Sequence, residues 1–416
     1  MIIKNAEVFE EDGSFVRKDI CVLGNRIVEE ADYKEQGRDI SDEPSLDFSG
    51  LKAIPMLVDI HFHGCDGVDF CDGTEEAIEK IAAYELREGI GAICPATMTY
   101  GEETLTQIAR AAAAYKNRAC AAEACSTSLQ SAQNVSASFR SVQSEYPLDA
   151  RRCPAADLVG INMEGPFISR KKKGAQNEAY IHRPDAEMFL RLQKEAGGLF
   201  RLCDLAPEEP GAMECIRKLR GQVVLSLAHT CTDYETAKQA FAEGASHMTH
   251  LYNAMPGISH RMPGPIVAAW EAGAEVELIA DGIHIHPAVV RLTFQLFGDD
   301  RVILISDSMM ATGLPDGQYT LGGQDVTVTG NRAVLTQDPD TIAGSATNLM
   351  DCLRTAVRSM GIPLGSAVRA AAVNPARCIG VDRLYGSLRP GCYANILIVN
   401  ENLDICHMIH KGVLLY

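Results

Sequence analysis

His61 and His63 close the apolar run Ile54-Pro-Met-Leu-Val-Asp-Ile, and their types and spacing point to metal chemistry. In an extended chain, side chains two apart leave the same face, so both imidazoles can be offered to one ion. Asp59 faces the same way, and Gly64 lets the chain turn sharply at the strand's end. A single His-x-His pair is about as often part of a buried strand whose rings bond neighbouring backbone. What separates the two readings is whether other strands deliver complementary ligands to the same place.

Four further apolar runs end in such residues. Leu158-Val-Gly-Ile-Asn-Met leads into Glu164, and Val223-Val-Leu-Ser-Leu-Ala into His229. Met248-Thr leads into His250, and Val302-Ile-Leu-Ile-Ser into Asp307. Each alone would more often be a core polar group or a cap. Five at equivalent positions form a ligand set of imidazoles and carboxylates suited to Zn, Fe, Mn or Co, and no cysteine cluster points instead to a closed structural zinc site. His247, three before His250, is expected to face away from the axis that His250 faces. A water activated by a bound cation needs a carboxylate to take its proton and pass it to a leaving group, and Asp307 on the last strand is the candidate. The chemistry that follows is metal-assisted hydrolysis of an amide or related bond.

The elements that must position these residues alternate from residue 55 onward. Strand-like runs at 56–61, 92–99, 158–164, 200–206, 223–229, 247–251, 276–280 and 302–306 are separated by amphipathic or Ala-rich stretches at 74–88, 102–115, 185–195, 212–219, 233–243, 265–272, 287–297 and 348–360. Eight of each is the count of a (β/α)8 TIM-like barrel, whose active sites lie at the carboxyl ends of the strands. Residues 1–53 read as short antiparallel strands, and strand-like runs return near 395–399, 408–409 and 412–416. The expectation is therefore a small β-sandwich domain formed from 1–53 and 381–416, beside a hydrolase barrel over 54–380. Two insertions interrupt the alternation. One, at 117–155, is rich in Ala, Ser and Cys; the other, at 313–340, reads as β-hairpins turning at Gly322-Gly323 and Gly330-Asn331.

With 416 residues, 46% hydrophobic and 22% charged, the chain can bury a large core. A net charge of −17 disfavours nucleic acid and anionic membranes as bulk partners. No apolar run reaches the roughly 18 residues that span a bilayer. The start lacks an export leader, and the 14 cysteines lack C-x-x-C pairs, so the expectation is a cytoplasmic protein with reduced thiols.

The ligand set resembles that of the amidohydrolase superfamily. Within it, the chain is similar to the branch that removes acetate from phosphorylated amino sugars. The likeness rests on Met163-Glu-Gly-Pro-Phe167, Lys172-Lys-Gly-Ala175, Thr249-His-Leu-Tyr-Asn-Ala-Met-Pro256, Ala280-Asp-Gly-Ile-His284 and Ile342-Ala-Gly-Ser345, with closing motifs at 374–380 and 386–395 in which Asn395 stands where Asp is common. The resemblance implies hydrolysis of the acetamide of N-acetylglucosamine 6-phosphate, with the galactosamine epimer and cyclic amides as rival substrates. The rivals of cyclic-amide type usually bridge their metals with a modified lysine, where this chain has Glu164. A catalytically dead scaffold would require lost ligands, and none is missing.

It further implies that Glu164, His229 and His250 hold the principal metal, that His61 and His63 allow a second bridged by Glu164, and that Asp307 is the acid/base. Substrate contacts carry over to Ala175, Gln176, Asn253, Ala254, Arg261, His284, Ile342, Ala343 and Gly344. Arg261 is expected to reach a neighbouring subunit's substrate phosphate, which implies a homodimer. The basic run Arg170 to Lys173 is expected to be a solvated loop, and His286 to be structural. Gln176 replaces a histidine common in the family; it can donate a hydrogen bond but carries no charge.

Overall fold

The computed structural model describes residues 1–35, 39, 43–132 and 154–416. All eight expected strands form, over 57–59, 90–93, 157–158 with 161–163, 200–205, 224–227, 247–248, 275–279 and 302–305. They are shorter than the apolar runs because the chain leaves the sheet just before each candidate ligand. The first three pair in parallel, and the strands from 161–163 to 302–305 pair in parallel in sequence order. A parallel bridge between Ala96 and Asn162 joins the two runs. At the other end, the Asp307 N–H donates to the His61 carbonyl at 3.0 Å, linking the last strand to the first.

The eight expected helices form as well, and their starts follow from side-chain caps. Thr74, Asp185, Asp233 and Asn348 each accept a hydrogen bond from a first-turn N–H, and His286 does the same for the helix that opens at Pro287. The structural reading of His286 therefore holds. The second helix runs well beyond its expected end, from Glu102 to Ala132, into the segment read as an insertion. Residues 133–153 of that insertion lie outside the described residues.

The run that opens at Ile54 serves two sheets. Lys52–Pro55 pairs antiparallel with Ile396–Val399, and only after Met56 does the chain enter the parallel set. Strands from both termini thus share one six-stranded sheet, and Val8, Ile20, Val22, Ile396 and Ile398 pack in a common apolar cluster. The N-terminal strands are not all antiparallel as expected. Ile2–Lys4 runs parallel to Ser45–Asp47, and Glu7–Phe9 parallel to Lys52–Pro55, because intervening strands and the helix 30–35 carry the chain back before it pairs. The second insertion is a four-stranded antiparallel sheet over 317–342, with Gly322-Gly323 and Gly330-Asn331 at its turns. Among the described residues no helix is long and apolar enough to cross a membrane.

Candidate metal centre and substrate pocket

The ligand-bearing residues converge. His61, His63 and Asp307 form one buried group, and Glu164, His229 and His250 a second; within each, one ligand atom per residue lies within 4.8 Å of the others. Glu164 belongs to both surroundings. Its Oε1 lies 3.1 Å from Nε2 of His229 and of His250 and 3.4 Å from His61 Nε2. Its Oε2 lies 3.4 Å from His63 Nε2, and His63 Nε2 lies 3.3 Å from Asp307 Oδ1.

Three of these residues stand on a backbone that few side chains adopt. His229, His250 and Asp307 have φ of 43°, 31° and 49°, in the left-handed region. Such strain persists only where the surroundings hold it, and here it swings each side chain inward as its strand ends. The argument from strand alternation that set His247 apart from His250 is therefore corrected. His247 lies wholly buried inside the barrel wall, its Nδ1 2.9 Å from Ser226 Oγ and its Nε2 3.8 Å from Glu277 Oε1. His250 reaches the site because the strand ends at Met248 and the chain then turns.

The donors fit divalent ions. His229 Nε2 and His250 Nε2 lie 3.1 Å apart and each 3.1 Å from Glu164 Oε1. Ligand atoms about 2.05 Å from a tetrahedral ion stand about 3.3 Å apart, so this triangle matches one face of such a shell. His61 Nε2 is buried without a hydrogen-bond partner among the described residues, an orphan that a cation would satisfy. Burial works against ionisation of Glu164, but hydrogen bonds from His229 and His250 and the charge of His61 hold its carboxyl well below the usual range. Burial likewise opposes a charged Asp307, and His63 with His61 outweighs it, so that pKa is lowered too. In the metal-free protein, burial disfavours protonation of both His61 and His63, yet Glu277 and Glu164 hold the His61 pKa well above the ordinary value, and Asp307 and Glu164 raise that of His63.

A cavity of about 360 Å³ opens onto both groups, within the range of small-molecule sites. Of the expected substrate contacts, Ala175, Gln176, Asn253, Ala254, His284, Ile342 and Gly344 line it. Ala343 does not: its side chain is buried among Leu321 and Val326, and its N–H donates to Ala333. Arg261 lies outside the lining of its own chain's cavity, on the exposed segment before the helix at Gly264. The basic run is solvent-facing as expected at Arg170 and Lys171, with none of Arg170–Lys172 buried, and Lys171 and Lys172 also line the cavity. Their loop turns back over the metal centre, where Lys172 O lies 2.8 Å from His229 Nδ1 and Ser169 N–H donates to His229 O at 2.9 Å. Asp340 and Thr341, from the inserted sheet, were not anticipated either. His284 is fixed through Nδ1 by Asp281 Oδ2 at 2.7 Å, a contact the motif Asp281-Gly-Ile-His284 could have signalled.

The profile of the amidohydrolase family matches residues 53–414, and this chain belongs to that family. Among curated relatives, it is 34% identical over 361 residues to the N-acetylglucosamine-6-phosphate deacetylase of Bacillus subtilis (strain 168), covering 86% of this chain and 83% of that one. It is 32% identical over 366 residues to the N-acetylgalactosamine-6-phosphate deacetylase of Escherichia coli O157:H7, covering 86% of each. Among solved structures it superimposes with a TM-score of 0.81, at 28% identity, on a mutant of N-acetyl-D-glucosamine-6-phosphate deacetylase from Mycobacterium smegmatis in complex with N-acetyl-D-glucosamine-6-phosphate. That match covers 100% of this chain and 98% of the other.

Proposed function

We propose that this chain is a metal-dependent deacetylase that converts N-acetyl-D-glucosamine 6-phosphate to D-glucosamine 6-phosphate and acetate. The observation that carries the reading is Glu164 shared between two histidine groups at the floor of a sugar-sized cavity, in a family whose similar members carry that name. Zn, Fe, Mn or Co, one or two per subunit, would be held by Glu164, His229 and His250 and by His61, His63 and Asp307. A divalent ion bound there supplies Lewis acidity and makes a water acidic near neutral pH.

The chain's own residues then divide the remaining work. Asp307 accepts the proton of the attacking water and delivers it to the departing amine nitrogen. Asn253, whose own amide donors hold the His250 and Leu251 carbonyls, fixes the turn that brings Ala254 to the sugar phosphate, and His284, braced by Asp281, presents its free ring edge to the cavity. Ala175, Gln176, Ile342 and Gly344 shape the opposite wall. Arg261 reaches the phosphate held by a second copy of the chain, so the working form is a homodimer. Its neighbours favour burial by a partner, with Met262 75% and Ile258 48% exposed in the single chain. The eight parallel strands form a closed (β/α)8 barrel over 54–380, with a small β-sandwich of 1–53 and 381–416 beside it. The protein works in the cytoplasm, where its cysteines stay reduced, and needs neither nucleic acid nor membrane.

The second reading, the galactosamine epimer, is favoured by the Escherichia coli relative. The test is acetate release from both 6-phosphates by the metal-replete protein. The proposal predicts the larger kcat/KM on the gluco epimer; a clear preference for the galacto epimer would transfer the assignment, and no release from either would reject both.

A further inference from the structure

Below the metal centre, a buried carboxylate touches ligands of both groups. Glu277 sits mid-strand on Glu275–Ile279, wholly buried, where an apolar side chain would be the ordinary choice. Its Oε2 lies 2.9 Å from His61 Nδ1 and accepts from the His250 N–H at 3.1 Å. Its other oxygen has no hydrogen-bond partner among the described residues, and His247 Nε2 is the nearby nitrogen at 3.8 Å.

That geometry fixes which edge of the His61 ring faces the ions. A carboxylate can only accept, so the proton sits on Nδ1 and the Nε2 lone pair points at Glu164 and Asp307. Asn162 Nδ2, 3.4 Å from the same Nδ1, is itself a donor and does not compete for that proton. The other histidines lack this support. His63 and His250 have Nδ1 atoms without a partner among the described residues, and His229 Nδ1 meets only a backbone carbonyl. A carboxylate behind a ligating imidazole orients the ring and raises its basicity, and its loss typically weakens metal binding about 10- to 100-fold.

Resting on the metal-dependent reading above, we propose that Glu277 is the positioning residue that makes His61, His63 and Asp307 a second metal position, through its contact with His61. Glu164, His229 and His250 bind an ion without it.

The test titrates Mn²⁺ into chelator-stripped protein, counts bound metal by elemental analysis after desalting, and follows the electron paramagnetic resonance spectrum. Wild type should take up two equivalents and show a spin-coupled pair. Glu277→Gln keeps the shape and an acceptor but loses the charge. It should hold one equivalent as tightly as wild type, need about 10- to 100-fold more free Mn²⁺ for the second, and show an isolated-ion spectrum at low loading. His61→Ala should lose the same equivalent, and adding Glu277→Gln to it should cost nothing further. Should Glu277→Gln melt before the titration, Glu277→Asp, which keeps the charge but cannot span the distance, is read the same way.

Unchanged binding of both ions in the variant would overturn the inference, as would equal loss of both, which would mark Glu277 as a support of the whole barrel end through His250. Wild type that releases acetate with a single bound ion would also overturn it while leaving the function standing. Wild type that binds two ions and releases no acetate would do the reverse.

Discussion

Gln176 donates through Nε2 to Glu164 Oε2 at 2.6 Å while its Oε1 accepts from the Thr99 N–H at 2.6 Å. Both ends of this buried amide are committed, so its first role is to brace the shared carboxylate. Gln176→Ala should therefore loosen metal and lower kcat by about 10- to 100-fold. Gln176→Glu should do worse than alanine, because it sets one carboxylate against another. Metal content after dialysis and kcat, measured on the same samples, check both; full metal retention in the two variants would contradict the bracing role.

Asp307→Asn should leave the ion held by Glu164, His229 and His250 in place while turnover falls by about 10²- to 10⁴-fold, since an amide cannot take the water's proton. Steady-state rates at matched metal content are the measurement. Turnover near wild type in a metal-replete variant would remove Asp307 as the acid/base.

The residues that could be read from the sequence share one property: an apolar run leads directly into them. His61, Glu164, His229, His250 and Asp307 stand out because a strand that ends in a ligand is a local pattern. The left-handed turns that aim His229, His250 and Asp307 left no trace, since none of the three is a glycine or lies in a recognisable turn motif. Strand alternation failed for His247 for the same reason. Glu277 was passed over because its partners lie 216 and 27 residues away, and only the closed arrangement of strands brings them together. The lysines at 171 and 172 looked like solvent-facing charge, and only the return of their loop over His229 puts them at the cavity.

Arg261→Ala should raise KM for the 6-phosphate sugar and barely change kinetics on the unphosphorylated N-acetyl sugar. The loss corresponds to about 2–5 kcal/mol if the guanidinium meets the phosphate in a desolvated interface. Arg261→Lys should rescue only in part, keeping the charge but losing the two-pronged geometry. Equal damage on both sugars would assign Arg261 to the loop or the dimer instead.

Metal removal should reverse the pH dependence of stability near neutrality. In the stripped protein the pKa values of His61 and His63 lie above their unfolded value near 6.5. Their contribution is therefore fully present below about pH 6.5 and is lost as pH rises through the raised values. Glu164 and Asp307 have lowered values, so their contribution is present above about pH 4.5 and fades only in acid. The melting temperature of stripped protein should fall as pH rises from 6.5, while that of the metal-loaded form should hold or rise, because deprotonated imidazoles bind the ion. Parallel melting curves for the two forms across that window would contradict the assignment of these histidines.

The most direct measurement follows acetate and free amine together as the protein acts on N-acetyl-D-glucosamine 6-phosphate, before chelation, after it, and after a divalent metal is restored. The account predicts equal amounts of the two products, loss of release on chelation, and recovery with metal. Release that persists in fully stripped protein, or no release from the metal-replete protein, would contradict it.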